Sequence, residues 1–506
     1  MKTESGKTVP KSRISILNPQ YILGLDVGTS SVRAALFDCR GEHVPETLVK
    51  RERRLKSTKG GGFEIDAEKS LTQVADVIDE VLARPQSAGA EISFVAASSF
   101  WHSLVGIDAE GNPTTKVFGW ADNQSRNYVK PLRRRFNETE IHNRTGARFH
   151  SSYWPSKLLW LRKEFPVVWR NTDCWLSFSD YMAMKFFASP ITTISMASGT
   201  GIFDIRKCLW DAEMLHFLKL RPDNLPEIAV SDAAAFKLTA KFAKRWPQLR
   251  DADWFPAIGD GAANNIGSGC IGRSRAALMV GTSGAMRVAY VGKPPEKIPP
   301  GLWCYRIDRR RVIIGGALSD GGGLYQWLRE NLRLDENAEA EIAKRPPAGH
   351  GLVFLPFLSG ERGTGYNEDA AGAIIGIKTA TDAIDIMQAA MESVAYRFAE
   401  IFGQLNRNCR IGEIAASGGA LHASPVWTQI IADVLGRDLI ISPEPEASLR
   451  GAVLLVLESI GKIGVIENIR SASGSNIAYH PECHALYKVA RKQHRRSYDQ
   501  ESAKLK

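Results

Sequence analysis

The chain has 506 residues, 44% of them hydrophobic and 24% charged, with a formal net charge of +10. That is the composition of a globular protein with length for two large domains or about three smaller ones, and no run of about 18 uncharged apolar residues offers a membrane span. The first 20 residues lack the apolar centre of a secretory signal, and seven cysteines without a CxxC pair speak against a disulfide framework or a zinc ribbon, so a cytoplasmic, reduced protein is expected.

In chain order, the first strong pattern is the apolar run Tyr21–Val27, the turn Gly28-Thr29-Ser30-Ser31 and a second apolar run, Val32–Asp38. It predicts a β-hairpin, with Asp26 as an acid inside an otherwise apolar strand. Ala67–Leu82 has helical periodicity with Asp66 as N-cap; Phe94–Ser99 is a short strand running into small residues, and Ser156–Phe165 is a second helix. An apolar segment then ends in Gly259-Asp260-Gly261. A block related to the first hairpin returns 253 residues after it, as Ala276–Val280, Gly281-Thr282-Ser283-Gly284 and Ala285–Val291. Further helices are expected over Asp382–Phe402, Trp427–Leu435 and Arg450–Ile460, and Ile414–Gly419 echoes Phe94–Ser99. Two echoes in the same order point to two halves of related topology, an α/β fold with mixed sheets and a boundary near Gly267–Arg275.

Charge is concentrated at residues 50–59, with six positive and one negative, and at 488–506, with seven and two. Neither run carries stacking aromatics or a nucleic-acid-binding motif, so a solvated loop and a basic tail are expected.

Glycine-rich turns between strands expose N–H groups that can surround phosphate oxygens, and Thr29, Ser30, Thr282 and Ser283 add hydroxyls. Two matched turns could grip one polyphosphate. Other nucleotide motifs fail: Gly6-Lys7-Thr8 lacks the first P-loop glycine, because Met1 stands there. Gly267–Gly272 matches GxGxxG, but no clear strand precedes it and no acid follows until Glu296, which excludes a Rossmann dehydrogenase. An acid between two glycines, as at Asp260, can reach a substrate hydroxyl and take its proton. Asp320 has a comparable setting in Ser-Asp-Gly-Gly-Gly, and spacing does not choose between them. His102 and the Trp120–Ser125 segment supply the mixture of donors, acceptors and aromatic surface that a polyol needs. His480-Pro-Glu-Cys483-His484 fits no established zinc spacing.

The ordered set Leu25–Ser31, Gly259–Gly261, Gly281–Ser283, Phe354–Arg362, Ser417–Ala420 and Glu444–Ala447 resembles the FGGY carbohydrate kinases over roughly residues 20–475. The resemblance implies two ribonuclease-H-like domains of the actin and hexokinase ATPase type, with an interdomain cleft. The division would be a polar extension 1–19, a sugar-binding domain 20–270, an ATP-binding domain 271–475 and a basic tail 476–506. It implies ATP-dependent phosphorylation of a sugar hydroxyl with Asp260 as catalytic base, and Mg²⁺ held near Asp26 through water. Gly28, Thr29 and Ser30, with Gly281, Thr282 and Ser283, would be the phosphate loops, and Gly418, Gly419 and Ala420 would lie beside the adenosine. His102, Trp120 and Asp122 would meet the sugar, and Glu361 and Arg362 would sit in the cleft.

Ser98–Ser103, Trp120–Asn123 and Gly360–Arg362 with Asn367 are most similar to the gluconokinase branch, which makes gluconate, giving 6-phosphogluconate, the leading expectation. Two departures fall near the sugar: Trp101 stands where that branch has Met, and Gly363-Thr-Gly-Tyr366 replaces Ala-Pro-Xaa-Trp. Xylulose, another ketopentose or a polyol such as glycerol are the alternatives, followed by a non-catalytic actin-like ATPase. The expected partners are ATP and a small sugar or aldonate, with a homodimer as one permitted assembly and neither nucleic acid nor membrane.

Overall fold

The computed structural model describes residues 21–53, 61–229, 234–469 and 474–504. The extension 1–19, the Gly6-Lys7-Thr8 segment and residues 54–59 of the first basic run lie outside them.

Apolar alternation and turn chemistry produce two sheets. The first runs Asp253–Trp254, Ile92–Ser99, Tyr21–Val27, Ser31–Phe37, Val49–Glu52, with Ile258–Gly259 also paired to Ile92–Ser99. The second runs Trp303–Arg306, Arg311–Leu318, Gly284–Val291, Arg275–Val280, Glu413–Ser417, Leu439–Ile441, Asn476–Ile477. Each contains the same unit: an antiparallel hairpin, an antiparallel third strand on one side and a parallel strand on the other. The two expected echoes are therefore the same structural positions, with Asp26 beside Ser98 in one half and Met279 beside Ser417 in the other. Ile22, Leu23, Leu25 and Val27 are fully buried, and each such side chain contributes about 1.5–3 kcal/mol.

Helix Ala67–Leu82 starts as expected, with the Asp66 carboxylate accepting from the Lys69 N–H at 3.0 Å, a cap worth about 1 kcal/mol. Asp382 caps a helix that runs two turns past the expected end, Ala383–Cys409, because Leu405 and Cys409 continue its buried face until Arg410 turns left-handed at φ 51°. The Ser156–Phe165 helix is Trp154–Glu164, and Gly267 of the GxGxxG match closes a helix rather than following a strand.

The halves meet through two helices, Asp260–Gly267 and Ala447–Ser459. They cross backbone to backbone: a Cβ on Gly267 or Gly451 would fall on a carbonyl of the other helix. Each helix also packs on the opposite half's sheet. Leu449, Val453 and Leu457 join Ile22, Phe37 and Phe94, while Ala263 and Ile266 join Ala289 and Ile313.

The expected basic tail is corrected by the structure. Asn476–Ile477 is an edge strand of the second sheet, and Pro481–Lys504 is a helix that buries Tyr487, His494 and Tyr498. Those three residues, spaced seven and four apart, form one helical face, so the charges between them lie on a packed element. Among the described residues, no helix is long and apolar enough to cross a membrane.

Candidate active site

Three neighbouring strands of the first sheet end together. Tyr21–Val27 carries Asp26, the parallel strand Ile92–Ser99 leads to His102, and Ile258–Gly259 delivers Asp260 at the start of a helix. The carboxyl ends of parallel strands are where ligands bind in open α/β sheets.

Asp26 is only 5% exposed, and ionising a carboxylate there costs several kcal/mol unless partners offset it. Ser98 Oγ donates to its Oδ1 at 2.6 Å and Arg33 lies 3.8 Å from its Oδ2. Burial still wins, and the Asp26 carboxyl stays above the usual carboxylate range. Asp260 is half-buried, and the Gly261 N–H donates to its Oδ1 at 2.7 Å. Desolvation pushes it up to about 6; Arg287 opposes this and the charge of Asp26 adds to it. A carboxylate poised there is suited to take a proton near neutral pH. Arg287 crosses from the second half, and burial brings it down to about 10. It is a site residue that sequence reasoning missed, since nothing in strand Gly284–Val291 shows where its side chain points.

Trp101, at the first departure, lies behind Asp260. Its ring presses on Gly259 and Gly261, and its indole N–H donates to Ser195 O at 2.9 Å, while Ser195 Oγ accepts the Gly259 N–H at 3.0 Å. His102, at φ 69°, donates from Nδ1 to Gly199 O at 2.5 Å. Burial, with Arg362 and Lys157 nearby, holds it well below the usual imidazole range, so Nε2 is a neutral acceptor. Trp120 is half-buried; its indole N–H donates to Thr29 Oγ1 at 3.2 Å and the Arg362 guanidinium lies 5.0 Å over its ring.

Asp122 is fully buried, with its carboxylate accepting from the Phe63 N–H at 2.8 Å and Gln124 Nε2 at 2.9 Å, bonds that shape the wall behind Trp120. Lys157, read only as part of a helix, is also fully buried and donates to Gly119 O and Ser152 O, both at 2.8 Å. Burial lowers it to about 8. A lysine inside the apolar run of residues 154–161 was the available signal.

On the other side of the cleft, the Gly281–Ser283 turn accepts three N–H groups from Gly321, Gly322 and Gly323 at 2.7–3.1 Å. Gly418 has φ 104°, reserved in practice for glycine, and packs against Val280, while Ala420 faces Gly322. The two expected donor segments are thus adjacent, and Thr282 and Gly419 are exposed. In the first turn Ser30 is exposed, and the Arg53 guanidinium donates to Gly28 O at 3.1 Å. The structure also separates the two candidate acids. Asp320 receives Ser359 N–H and Oγ–H at 3.1 and 3.2 Å, and its partners do not include Asp26.

The ligating atoms of Asp433, His480 and Cys483 lie within 4.8 Å of one another. Asp433 Oδ1, however, already accepts the His480 N–H at 2.7 Å and Gln429 Nε2 at 2.9 Å, the bonds that start the last helix.

The model for the N-terminal domain of the FGGY family of carbohydrate kinases matches residues 21–267, and the model for its C-terminal domain matches 276–457. A gluconokinase of Bacillus licheniformis is 26% identical over 489 residues, covering 91% of this chain and 92% of that protein. The crystal structure of a gluconate kinase from Lactobacillus acidophilus superposes with a TM-score of 0.86 at 27% identity, covering 95% and 98% of the two chains. A ligand-bound xylulose kinase from the same species gives 0.87 at 27% identity, covering 96% and 98%.

Proposed function

The chain belongs to the FGGY family of carbohydrate kinases, with its two-domain actin- and hexokinase-like fold, and from that premise we propose that it transfers the γ-phosphate of ATP to a hydroxyl of gluconate, giving 6-phosphogluconate. The observation that carries the reaction is Asp260, poised at about 6 on a helix start beside Asp26 and Arg287. Asp260 orients the acceptor hydroxyl and takes its proton as the oxygen attacks the γ-phosphorus; positioning and charge stabilisation do most of the remaining work. Gly28–Ser30 and Gly281–Ser283 surround the phosphates, and Gly418–Ala420 border the adenosine.

The resemblance also calls for Mg²⁺. The donor set fits: two carboxylates, Asp26 and Asp260, lie close enough that the charge of one raises the other. Asp26 would hold the ion through water, and the ion would neutralise charge on the transferring phosphoryl group.

The choice of an acidic acceptor rests on the motif likeness to the gluconokinase branch and on Arg362, whose guanidinium covers Trp120 and whose charge reaches His102, a setting that favours a carboxylate over an uncharged polyol. Xylulose is the second reading. It is favoured by the likeness to the xylulose kinase structure, and the departures at Trp101 and Gly363–Tyr366 weaken the match to the gluconokinase pattern. The test is ADP release with gluconate, xylulose, ribulose and glycerol side by side. Gluconate is expected to give the highest kcat/KM; xylulose in first place would move the assignment to the second reading. ATP turnover without any acceptor, unchanged in Asp260→Ala, would replace both with a conformational ATPase.

A further inference from the structure

The helix Pro481–Lys504 lies beyond the last residue matched by either family model, and its Tyr498 reaches the loop that carries Arg362. The Tyr498 hydroxyl donates to Glu361 Oε2 at 2.6 Å. Glu361 Oε1 accepts the Gly365 N–H at 2.9 Å, and the same carboxylate pairs with Arg397. Glu361 and Arg397 are each 1% exposed, so this is a dry cluster in which every partner counts. Arg397 is held in turn by Glu400 at 2.9 Å, and Glu400 also accepts from Thr364 Oγ1 at 2.9 Å. Glu361 therefore ties both ends of the Gly360–Tyr366 loop to the last helix.

Arg362, the next residue, reaches the Trp120 ring. Its charge is felt by His102, His150 and Arg287, groups from both halves of the cleft. Only one peptide separates the Tyr498 partner from the cation over the acceptor pocket. The second departure from the gluconokinase pattern falls in the same loop. A Cβ on Gly365 would fall on both the Tyr498 hydroxyl and Glu361 Oε2, so a glycine there leaves the space that the Tyr498–Glu361 bond occupies.

We propose that Tyr498 is a positioning residue of the acceptor site: through Glu361 it fixes the loop that presents Arg362, so the carboxy-terminal helix sets acceptor affinity without touching the acceptor. The inference rests on the assignment of Arg362 to the acceptor pocket made above. Tyr498 also packs on Phe357, at 5.7 Å between ring centroids, so a purely structural role must be separated from a positioning one.

Tyr498→Phe keeps the ring and removes only the hydroxyl. In the full-length enzyme, assayed with gluconate and with xylulose, it is expected to raise the KM of the better acceptor about tenfold, with kcat and the KM for ATP within twofold, as befits loss of a hydrogen bond to a charged group. Gly365→Ala is expected to raise acceptor KM further, and Gly365→Ala/Tyr498→Phe to recover part of that loss because the hydroxyl that meets the new methyl is gone. An unchanged acceptor KM in Tyr498→Phe, or a parallel rise in both KM values, overturns the proposal. Arg362→Ala, measured in parallel, separates the two levels. If it leaves acceptor KM unchanged, the pocket assignment itself fails; if it raises KM while Tyr498→Phe does not, only the role of Tyr498 is lost.

Discussion

The two halves of the molecule set one tetrapeptide in different surroundings. Val27–Ser30 and Val280–Ser283 both read Val-Gly-Thr-Ser, both close a hairpin, and both lie beside a parallel strand. Around the first turn stand side chains: Asp26 within the strand, Arg33 at 3.8 Å from it, Arg53 on Gly28 O and Trp120 on Thr29. Around the second stand glycines, 321 to 323 and 418, with the methyl of Ala420 and the uncharged side chains of Met279 and Phe398. A duplicated backbone thus carries charged side chains around one turn and mostly glycine backbone around the other. Shared fold does not imply shared chemistry, and here the distinction runs within a single chain.

The charged half is broken most sharply at Asp260. Asp260→Asn retains the shape and removes the proton acceptor, and is expected to lower kcat by roughly a hundred- to ten-thousandfold with ATP affinity retained. In the unaltered enzyme, kcat/KM is expected to fall below about pH 6, because the carboxyl is pushed up to about 6 and the protonated form cannot act as base. Burial holds the His102 imidazole well below its usual range. Loss of kcat together with loss of ATP binding in Asp260→Asn would place the residue with the nucleotide.

The bare half is broken at Gly418. Its φ of 104° and its contact with Val280 leave no room for a side chain, so Gly418→Ala forces strain of about 1–3 kcal/mol on the turn facing Gly322. A five- to hundredfold higher KM for ATP is expected, with acceptor KM little changed. The reverse split, measured by steady-state kinetics with each substrate varied, would remove the nucleotide assignment.

Much of this contrast was legible in the chain. Asp26 breaks an apolar strand and Asp260 sits between glycines, and both lie at the strand ends where the two halves meet. Asp320 looked the same in sequence because spacing does not report neighbours; only the fold shows it bound to Ser359. Arg287 and Lys157 were hidden because a cation in a strand or helix reveals neither its direction nor its partner. Asp122 shows the complementary limit: the sequence does not show that the oxygens of an acid in a polar loop serve Phe63 and Gln124. The last helix was masked by charge, although the spacing of Tyr487, His494 and Tyr498 already marked a buried face.

The smallest expected effect lies where the halves touch. The Glu368 carboxylate accepts from Ser151 Oγ at 2.7 Å and from the Ser151 N–H at 2.5 Å across the seam, yet burial outweighs these bonds and pushes it up to about 7 from an ordinary 4.5. The folded protein therefore keeps a proton that the unfolded chain gives up. The stability tied to that proton is complete below about pH 4.5 and is lost as pH rises through about 7, by about 3 kcal/mol in full. Glu368→Gln keeps an acceptor for Ser151 and abolishes the ionisation. Its melting temperature is expected to match the unaltered protein at pH 4.5 and to exceed it by a few degrees at pH 8. A gain of equal size at both pH values would mean that the seam is held by packing alone, and that the electrical difference between the halves stops at the cleft.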